Sequence, residues 1–529
     1  LAKKEKQPVS GGMTPWLVAT SIICGAMVMT IEVLGSRVIG PLFGASLFVW
    51  TSLIAVTLLA LALGYALGGR LADRSDGSAD LLYGLIAIAG GATVLLPTLR
   101  APVLKACIPF GIRLGAFASA LCLFGPALLL LGMVSPFLVR IAARELRNVG
   151  WTVGLLSSVS TGGSLAGTIA AGFFLIPRFG VTRIFTVCGL ILLGVSAAWF
   201  VAVRWRYAVL LVLPALLLVG REEPLVSKVQ ANGTRAEMLE RRQSPYGEIK
   251  VIEYSYGPRR NREMTIDGLV QGGIDPDSGM STYEYSYFLS RLARAKNPGG
   301  RRALVIGLGA GVVPAWFERN GVSCDVIDID EEIVEVARDR FGFRSSGRVW
   351  VEDARAGISQ LPETWDYVVL DVFGGDATPA HLLSCEAVGI IEERVAPGGV
   401  LAVNLICQLS PDRWLLASIV KTLREEFDVV EVHPNFDPSS AGPGFGNVTL
   451  IAYDGPKRET VRAALLSEPV HDLARGAVVA NLGREWAFEV GADAIVLTDD
   501  FNPIDFHERA ARERLRGAIL GTTDFDLLL

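Results

Sequence analysis

Apolar residues follow two regimes along this chain. Up to residue 220 they form long, nearly unbroken runs; from 244 onward they come in short runs divided by turns and charged stretches. Runs long enough to cross about 30 Å of hydrocarbon occupy 16–39, 47–69, 80–98, 115–139, 151–176 and 182–203, and a shorter one 206–220. The pattern therefore predicts about seven spans. The first run is too long for a signal-peptide core and precedes no small-residue cleavage site, which predicts a retained helix. Gly154, Ser158, Gly162, Gly163 and Gly167 recur inside the fifth run, a spacing that allows close helix packing in lipid.

Beyond the apolar half, 221–243 is charged and irregular and is expected to be a linker. In SPYGEIKVIEYSYGPRRNREMTIDGLVQGG (244–273) alternating runs flank a Gly-Pro turn, the mark of a hairpin-rich β-region. From 302, strand and helix patterns alternate: strands at 302–306, 324–328, 348–351, 366–371, 399–404 and 428–433, helices at 311–319, 331–340, 382–395 and 411–425. Such alternation predicts a parallel sheet with helices on both faces. The expected organisation is a helical membrane domain over 1–220, the linker, a β-region over 244–300 and an α/β domain over 301–529.

Composition sharpens this picture. The chain is 51% hydrophobic and 19% charged, too apolar for an ordinary soluble enzyme. Its net charge of −5 comes with no basic stripe, so nucleic acid is not an expected partner. Seven cysteines stand singly, without a C-x-x-C pair, and four histidines are scattered; no disulfide framework and no metal are expected. Arg70, Arg74, Arg140, Arg144, Arg147, Arg204 and Arg206 follow alternate spans and lysines precede the first, which places the N-terminus in the cytoplasm. Seven crossings would then leave the C-terminal half outside, although a nucleotide-using domain is expected in the cytoplasm. Either 206–220 does not cross or a span is miscounted, with 101–113 the weakest segment. Glu32 is the one acid deep in apolar sequence. It either locks helices together by pairing with an arginine such as Arg37 or Arg140, or marks a path through the membrane half. The chain starts at Leu1 without an initiator methionine, as a processed or trimmed chain would.

In open α/β sheets ligands bind at the carboxyl ends of the strands. There the sequence places GLGAG, with Gly307, Gly309 and Gly311, then Asp328 at the end of the second strand, Asp353 with Ala354 in EDAR, and Asp371 in YVVLDVFGG. The glycines let backbone approach a ligand, Asp328 suits ribose hydroxyls, Asp353 an exocyclic adenine amine, and Asp371 the reacting end. A dinucleotide has no use for the whole ladder, whereas an adenosyl sulfonium does. S-adenosylmethionine or its decarboxylated form is therefore the expected co-substrate.

These motifs resemble the spermidine synthase (polyamine aminopropyltransferase) family, in particular its membrane-fused bacterial branch. SPYG (244–247) is similar to the family's S-x-Y-Q, TIDGLVQ (265–271) to L-x-L-D-G-x-x-Q, GLGAG to G-G-G-D-G and DIDEEIVEVAR (328–338) to E-I-D-x-x-V-x-x-x-A. DVFGGDATPAHLL (371–383) resembles the branch's form of D-S-x-D-P, and LTDDFNP (497–503) its closing motif. The resemblance implies a class I methyltransferase-like Rossmann-type fold behind the membrane helices, and transfer of an aminopropyl arm to an amine such as putrescine with release of methylthioadenosine. It implies Asp371 as catalytic acid, Tyr283 as the tyrosine of Y-x-E, Gln271 as a nucleoside ligand, and Asp328 and Asp353 as ribose and adenine acids. A multi-pass protein of the bacterial inner membrane, in contact with lipid and homo-oligomeric, is the corresponding expectation.

Departures gather at one side of the implied site. Gly247 stands for the family's glutamine, Ala310 for an acid near the transferred amine, Tyr285 for the glutamate and Gly374 for the second acid of D-x-x-D, leaving Asp376 as a substitute. Fewer carboxylates bind a dication less well. Arm cleavage without an acceptor, methyl transfer, and an adenosyl-nucleoside-sensing transporter therefore stay open beside aminopropyl transfer.

Overall fold

The computed structural model of the chain describes residues 13–44, 47–142, 149–204, 225–230, 232–373, 379–409, 413–438 and 444–528. They form two compact units, the first comprising Leu1–Pro224 with Leu528–Leu529 and the second Leu225–Leu527.

The first unit is helical: α1 (Met13–Phe43), α2 (Leu47–Arg74), α3 (Ala79–Cys107), α4 (Gly111–Leu123), α5 (Gly125–Ala142), α6 (Val149–Ile169), α7 (Ile176–Arg178) and α8 (Val181–Arg204). Uninterrupted apolar sequence favours helices because each satisfies its own backbone groups without water. Six of the described helical stretches are long and apolar enough to cross a membrane; 206–220, the expected seventh, lies outside the described residues. The fourth run differs from its expectation. Residues 115–139 are split at Phe124, where α4 gives way to α5, and 101–113 carries the end of α3, a 3₁₀ turn at Ile108–Phe110 and the reversal at Gly111, whose φ is 75°. The residues are apolar throughout this stretch, so hydropathy alone conceals the breaks.

Close packing in this unit runs through small residues, though not all those in the expected stripe. Gly163 and Gly167 lie against the backbone of Ile22 and Ala26 in α1, with Ser164 Oγ donating to Gly25 O at 3.0 Å, while nothing stands near the missing Cβ of Gly154 or Gly162. On α2, a side chain at Gly64 or Gly68 would collide with the α5 backbone at Leu129 or Met133. Glu32 is half-buried and takes a hydrogen bond from Thr57. Arg140, one of its expected partners, instead pairs with Asp73 and Asp76 at 3.4 and 3.8 Å.

The second unit begins with a five-stranded antiparallel sheet in sequential order: β1 (Ser227–Val229), β2 (Arg235–Gln243), β3 (Glu248–Tyr256), β4 (Arg259–Ile266) and β5 (Leu269–Ile274). The expected linker is thus partly strand. In RAEMLERRQ the alternation is carried by Ala236 and Met238, both buried, and dense charge on the remaining positions hides it.

The larger sheet has β6 (Arg302–Ile306), β7 (Ser323–Asp328), β8 (Val349–Val351), β9 (Trp365–Leu370), β10 (Val395–Gln408), β11 (Val429–Pro434) and β12 (Phe445–Tyr453) in the order β11-β12-β10-β9-β6-β7-β8. It is mixed rather than parallel, because β12 pairs antiparallel with both β10 and β11. No described helix separates β11 from β12, and strands joined without a crossover pair antiparallel. Intervening helices are α9 (Tyr285–Lys296), α10 (Val312–Arg319), α11 (Glu331–Phe341), α12 (Ala354–Gln360), α13 (Cys385–Glu392) and α14 (Trp414–Glu426). Strand alternation sends Val305, Val326, Val369 and Ala402 into one core layer and Leu304, Ile327, Val368 and Val403 into the other. At the sheet's β11–β12 edge, Glu431 accepts from Lys296 Nζ at 2.7 Å and Tyr453 Oη at 2.6 Å, with His433 Nε2 at 3.0 Å. The Lys296 ammonium, the His433 ring and the Tyr453 hydroxyl offset the burial of the Glu431 carboxylate and hold its pKa down at about 2.

Candidate active site

Strand register sets the site. Ile306 pairs with Ile327 and with Leu370, Asp328 with Val351, and Val403 with Leu370. The next residues along these strands, Gly307, Asp328, Asp371 and Asn404, therefore emerge side by side at one edge, with Asp353 just past β8. Neighbouring strands lie about 4.8 Å apart, so the ladder from β8 to β9 spans roughly 14 Å. A cavity of about 590 Å³ opens along it, within the usual size for a small-molecule site.

Local sequence explains each position. Gly307 (φ 88°) sits against the Asp371 carbonyl, and at Gly309 (φ 49°) a Cβ would stand 2.6 Å from Gln271 O. Larger residues at either place would be strained and would collide. Gly311 (φ 74°) caps α10 and packs against Phe343 instead of lining the cavity. The acids of DID both line the cavity but are held differently: Asp330 caps α11 by accepting from Glu332 N at 3.1 Å, whereas Asp328 accepts from Leu308 N at 2.8 Å and Asp330 N at 2.9 Å. Burial raises the Asp328 pKa to about 6 against the pull of these backbone donors. Asp353 lines the cavity beside Ala354 while its Oδ1 caps α12 through Ala356 N at 3.0 Å; His381 Nε2 stands 3.7 Å from its Oδ2.

At the other end, Asp371 Oδ1 accepts from Asn404 Nδ2 at 2.8 Å, and Asn404 Oδ1 in turn accepts from Asn447 Nδ2 at 3.0 Å. Burial raises the Asp371 pKa to about 6, with the Asn404 bond opposing it. Gln271, Tyr283 and Tyr285 line the same end. Tyr283 Oη donates to Glu263 at 2.6 Å, and Glu263 also accepts from Asn261 Nδ2 at 2.6 Å. Tyr285 Oη donates to Gln271 O at 3.3 Å. Glu284, the residue between the two tyrosines, is not among the lining residues. Asp376 lies outside the described residues, and Glu32 belongs to the helical unit.

Asn404 and Asn447 are the site residues that the sequence reading misses. Each is a solitary amide inside an apolar strand, AVNLIC and GNVTLIAY, and a polar group buried in such a run demands a partner. Leu515 and Ile519 of α15 (Arg509–Thr522) also line the cavity, brought there by long-range packing that no local pattern encodes. The closing motif works indirectly: Asp499 pairs with Arg355 at 2.5 Å and accepts from Ser384 Oγ at 2.6 Å, and Asn502 Nδ2 donates to Ala380 O at 2.7 Å. It thereby fastens the segment carrying Pro379 and His381 over the site. Among the described residues no group of histidine, cysteine, aspartate or glutamate is placed to hold a metal ion.

No protein-family model matches the chain. A polyamine aminopropyltransferase of Mycobacterium tuberculosis is 25% identical over 460 residues, covering 79% of this chain and 83% of the relative. An N-terminal histidine N-methyltransferase of Emericella nidulans is 28% identical over 157 residues, 29% of this chain and 28% of the relative. The chain spans between about a quarter and two fifths of the length of several other curated relatives. A probable spermidine synthase from Corynebacterium glutamicum superposes with a TM-score of 0.39 at 21% identity, over 48% of this chain and 98% of that structure. The mycobacterial match runs through most of both sequences, so the chain is similar along most of its length to a polyamine aminopropyltransferase.

Proposed function

We propose that the protein moves the aminopropyl arm of decarboxylated S-adenosylmethionine to an amine, releasing methylthioadenosine, with putrescine the reference acceptor of the family. The observation that carries this reading is Asp371, buried, with a pKa raised to about 6 and one oxygen held by Asn404, at the far end of a cavity whose near end presents Asp328 and Asp353. An ammonium must lose a proton before its lone pair can attack, and a carboxylate of raised pKa is a stronger base for that step. Asp328 would accept from the ribose and Asp353 from the adenine amine; Gln271 and the glycine loop shape the space between. No metal enters this scheme. The apolar helices of the first unit anchor the enzyme in the bacterial inner membrane, with the nucleoside site on the cytoplasmic side where its co-substrate is made. Homo-oligomerisation belongs to this reading only by analogy with the family.

The test is to incubate detergent-solubilised full-length protein with S-adenosylmethionine or its decarboxylated form, with and without an amine, and to identify the nucleoside by mass spectrometry. Methylthioadenosine that requires both the decarboxylated donor and an amine supports the reading. S-adenosylhomocysteine would establish methyl transfer, the second reading favoured by the methyltransferase relative. Methylthioadenosine from S-adenosylmethionine alone would establish arm cleavage, and nucleoside binding without product would leave a sensor.

A further inference from the structure

The acids at the β7–β8 end of the cavity serve only part of an adenosyl group. Asp328 and Asp353, as carboxylates, accept hydrogen bonds and so suit ribose hydroxyls and the exocyclic amine. The ring nitrogens of adenine are themselves acceptors and need donors. A donor stands beside these acids: Tyr246 lines the cavity together with Asp328, Asp330 and Asp353, and it is half-exposed at the rim.

The turn between β2 and β3 puts it there. Ser244, fully buried, accepts at Oγ from Tyr246 N at 3.0 Å and from Gly247 N at 3.1 Å, and its own N–H donates to Gly247 O at 2.9 Å. Gly247 is buried, and a Cβ on it would stand 2.5 Å from Ile266 Cγ2, so a side chain at that position would have to displace Ile266 from the cavity wall. From this turn it is Tyr246 that faces the cavity. Burial, and after it the charges of Asp330, Asp353 and Asp328, push the Tyr246 hydroxyl above its ordinary value. The phenol keeps its proton and stays a donor. His381, another described side chain at this end with a donor to offer, has its Nε2 3.7 Å from Asp353 Oδ2.

The aminopropyl-transfer reading enters here through the adenosyl group that it places along the cavity. Resting on it, we infer that Tyr246 is a nucleoside-binding residue whose hydroxyl donates to a ring nitrogen of adenine and whose ring covers the bound nucleoside at the rim. The ring contributes by giving up exposed apolar surface, the hydroxyl by exchanging water for a fixed acceptor. Its role is in affinity and lies apart from the amine chemistry at Asp371.

The test is methylthioadenosine binding, by calorimetry, to full-length protein in detergent for wild type, Tyr246→Phe and Tyr246→Ala. It is repeated with three forms of the ligand in which CH replaces adenine N1, N3 or N7. Tyr246→Phe should weaken methylthioadenosine by about 3- to 10-fold, the size of one neutral hydrogen bond, and Tyr246→Ala by about 5-fold more. With one of the three altered ligands wild type should already be weakened, and Tyr246→Phe should lose nothing further. A Tyr246→Phe protein that binds as tightly as wild type, or whose loss is the same for all three altered ligands, overturns the hydrogen bond. Equal losses in the two variants overturn the covering role of the ring. Each of these results leaves the adenosyl reading standing, whereas a wild type that binds no methylthioadenosine removes both.

Discussion

The two ends of the cavity are built on different chemistry. At β7–β8, carboxylates face the cavity while backbone amides hold them: Asp328 accepts from Leu308 and Asp330, and Asp353 from Ala356. At β9–β10, a single carboxylate is held by a chain of side-chain amides, Asn447 to Asn404 to Asp371. Backbone donors are fixed by the strands and helices themselves, so the carboxylates of the first end are rigidly held, whereas side-chain amides orient one oxygen of Asp371. On the proposed function the first end recognises the nucleoside and the second carries the chemistry, and single substitutions should take the two apart.

The largest expected effect is on Asp371→Asn. Removing the base should lower turnover by about 10³-fold, within the range for general-base catalysis, while methylthioadenosine affinity in a calorimetric titration stays near wild type. Asp328→Asn should do the reverse, weakening nucleoside binding by about 10- to 100-fold, as expected for losing a charge-assisted hydrogen bond. A smaller effect is expected from pH. Asp371 must be ionised to take a proton, so activity falls as pH drops through about 6. Asn404→Ala removes the bond that favours the ionised form, so the acidic limb of the pH–rate profile should move upward by about one pH unit. A downward move would mean that Asn404 does not stabilise the carboxylate. The same raised pKa carries a stability consequence: buried Asp328 and Asp371 bind protons more tightly folded than unfolded, so their contribution declines as pH rises from about 4 to 6.

Much of the β7–β8 end was legible because it is local. A glycine loop after a strand, an acid at the next strand's end and an acid ahead of the following helix follow one another in order, and register does the rest. The other end is not local. Asn404 and Asn447 meet through β10 and β12, whose antiparallel pairing breaks the expected parallel pattern, and Leu515 arrives from α15, late in the chain. In the helical unit the six long helices follow from hydropathy, but the break at Phe124 does not, since residues on both sides are equally apolar. In β1 and β2 the failure has the opposite cause, dense surface charge over a buried alternation of Ala236 and Met238.

The most direct test of this separation is to measure methylthioadenosine affinity and amine-dependent turnover side by side for Asp371→Asn and Asp328→Asn in the full-length protein. The account predicts near-normal affinity with lost turnover for the first, and lost affinity for the second. Equal loss of affinity in both variants, or turnover that survives Asp371→Asn, would contradict it.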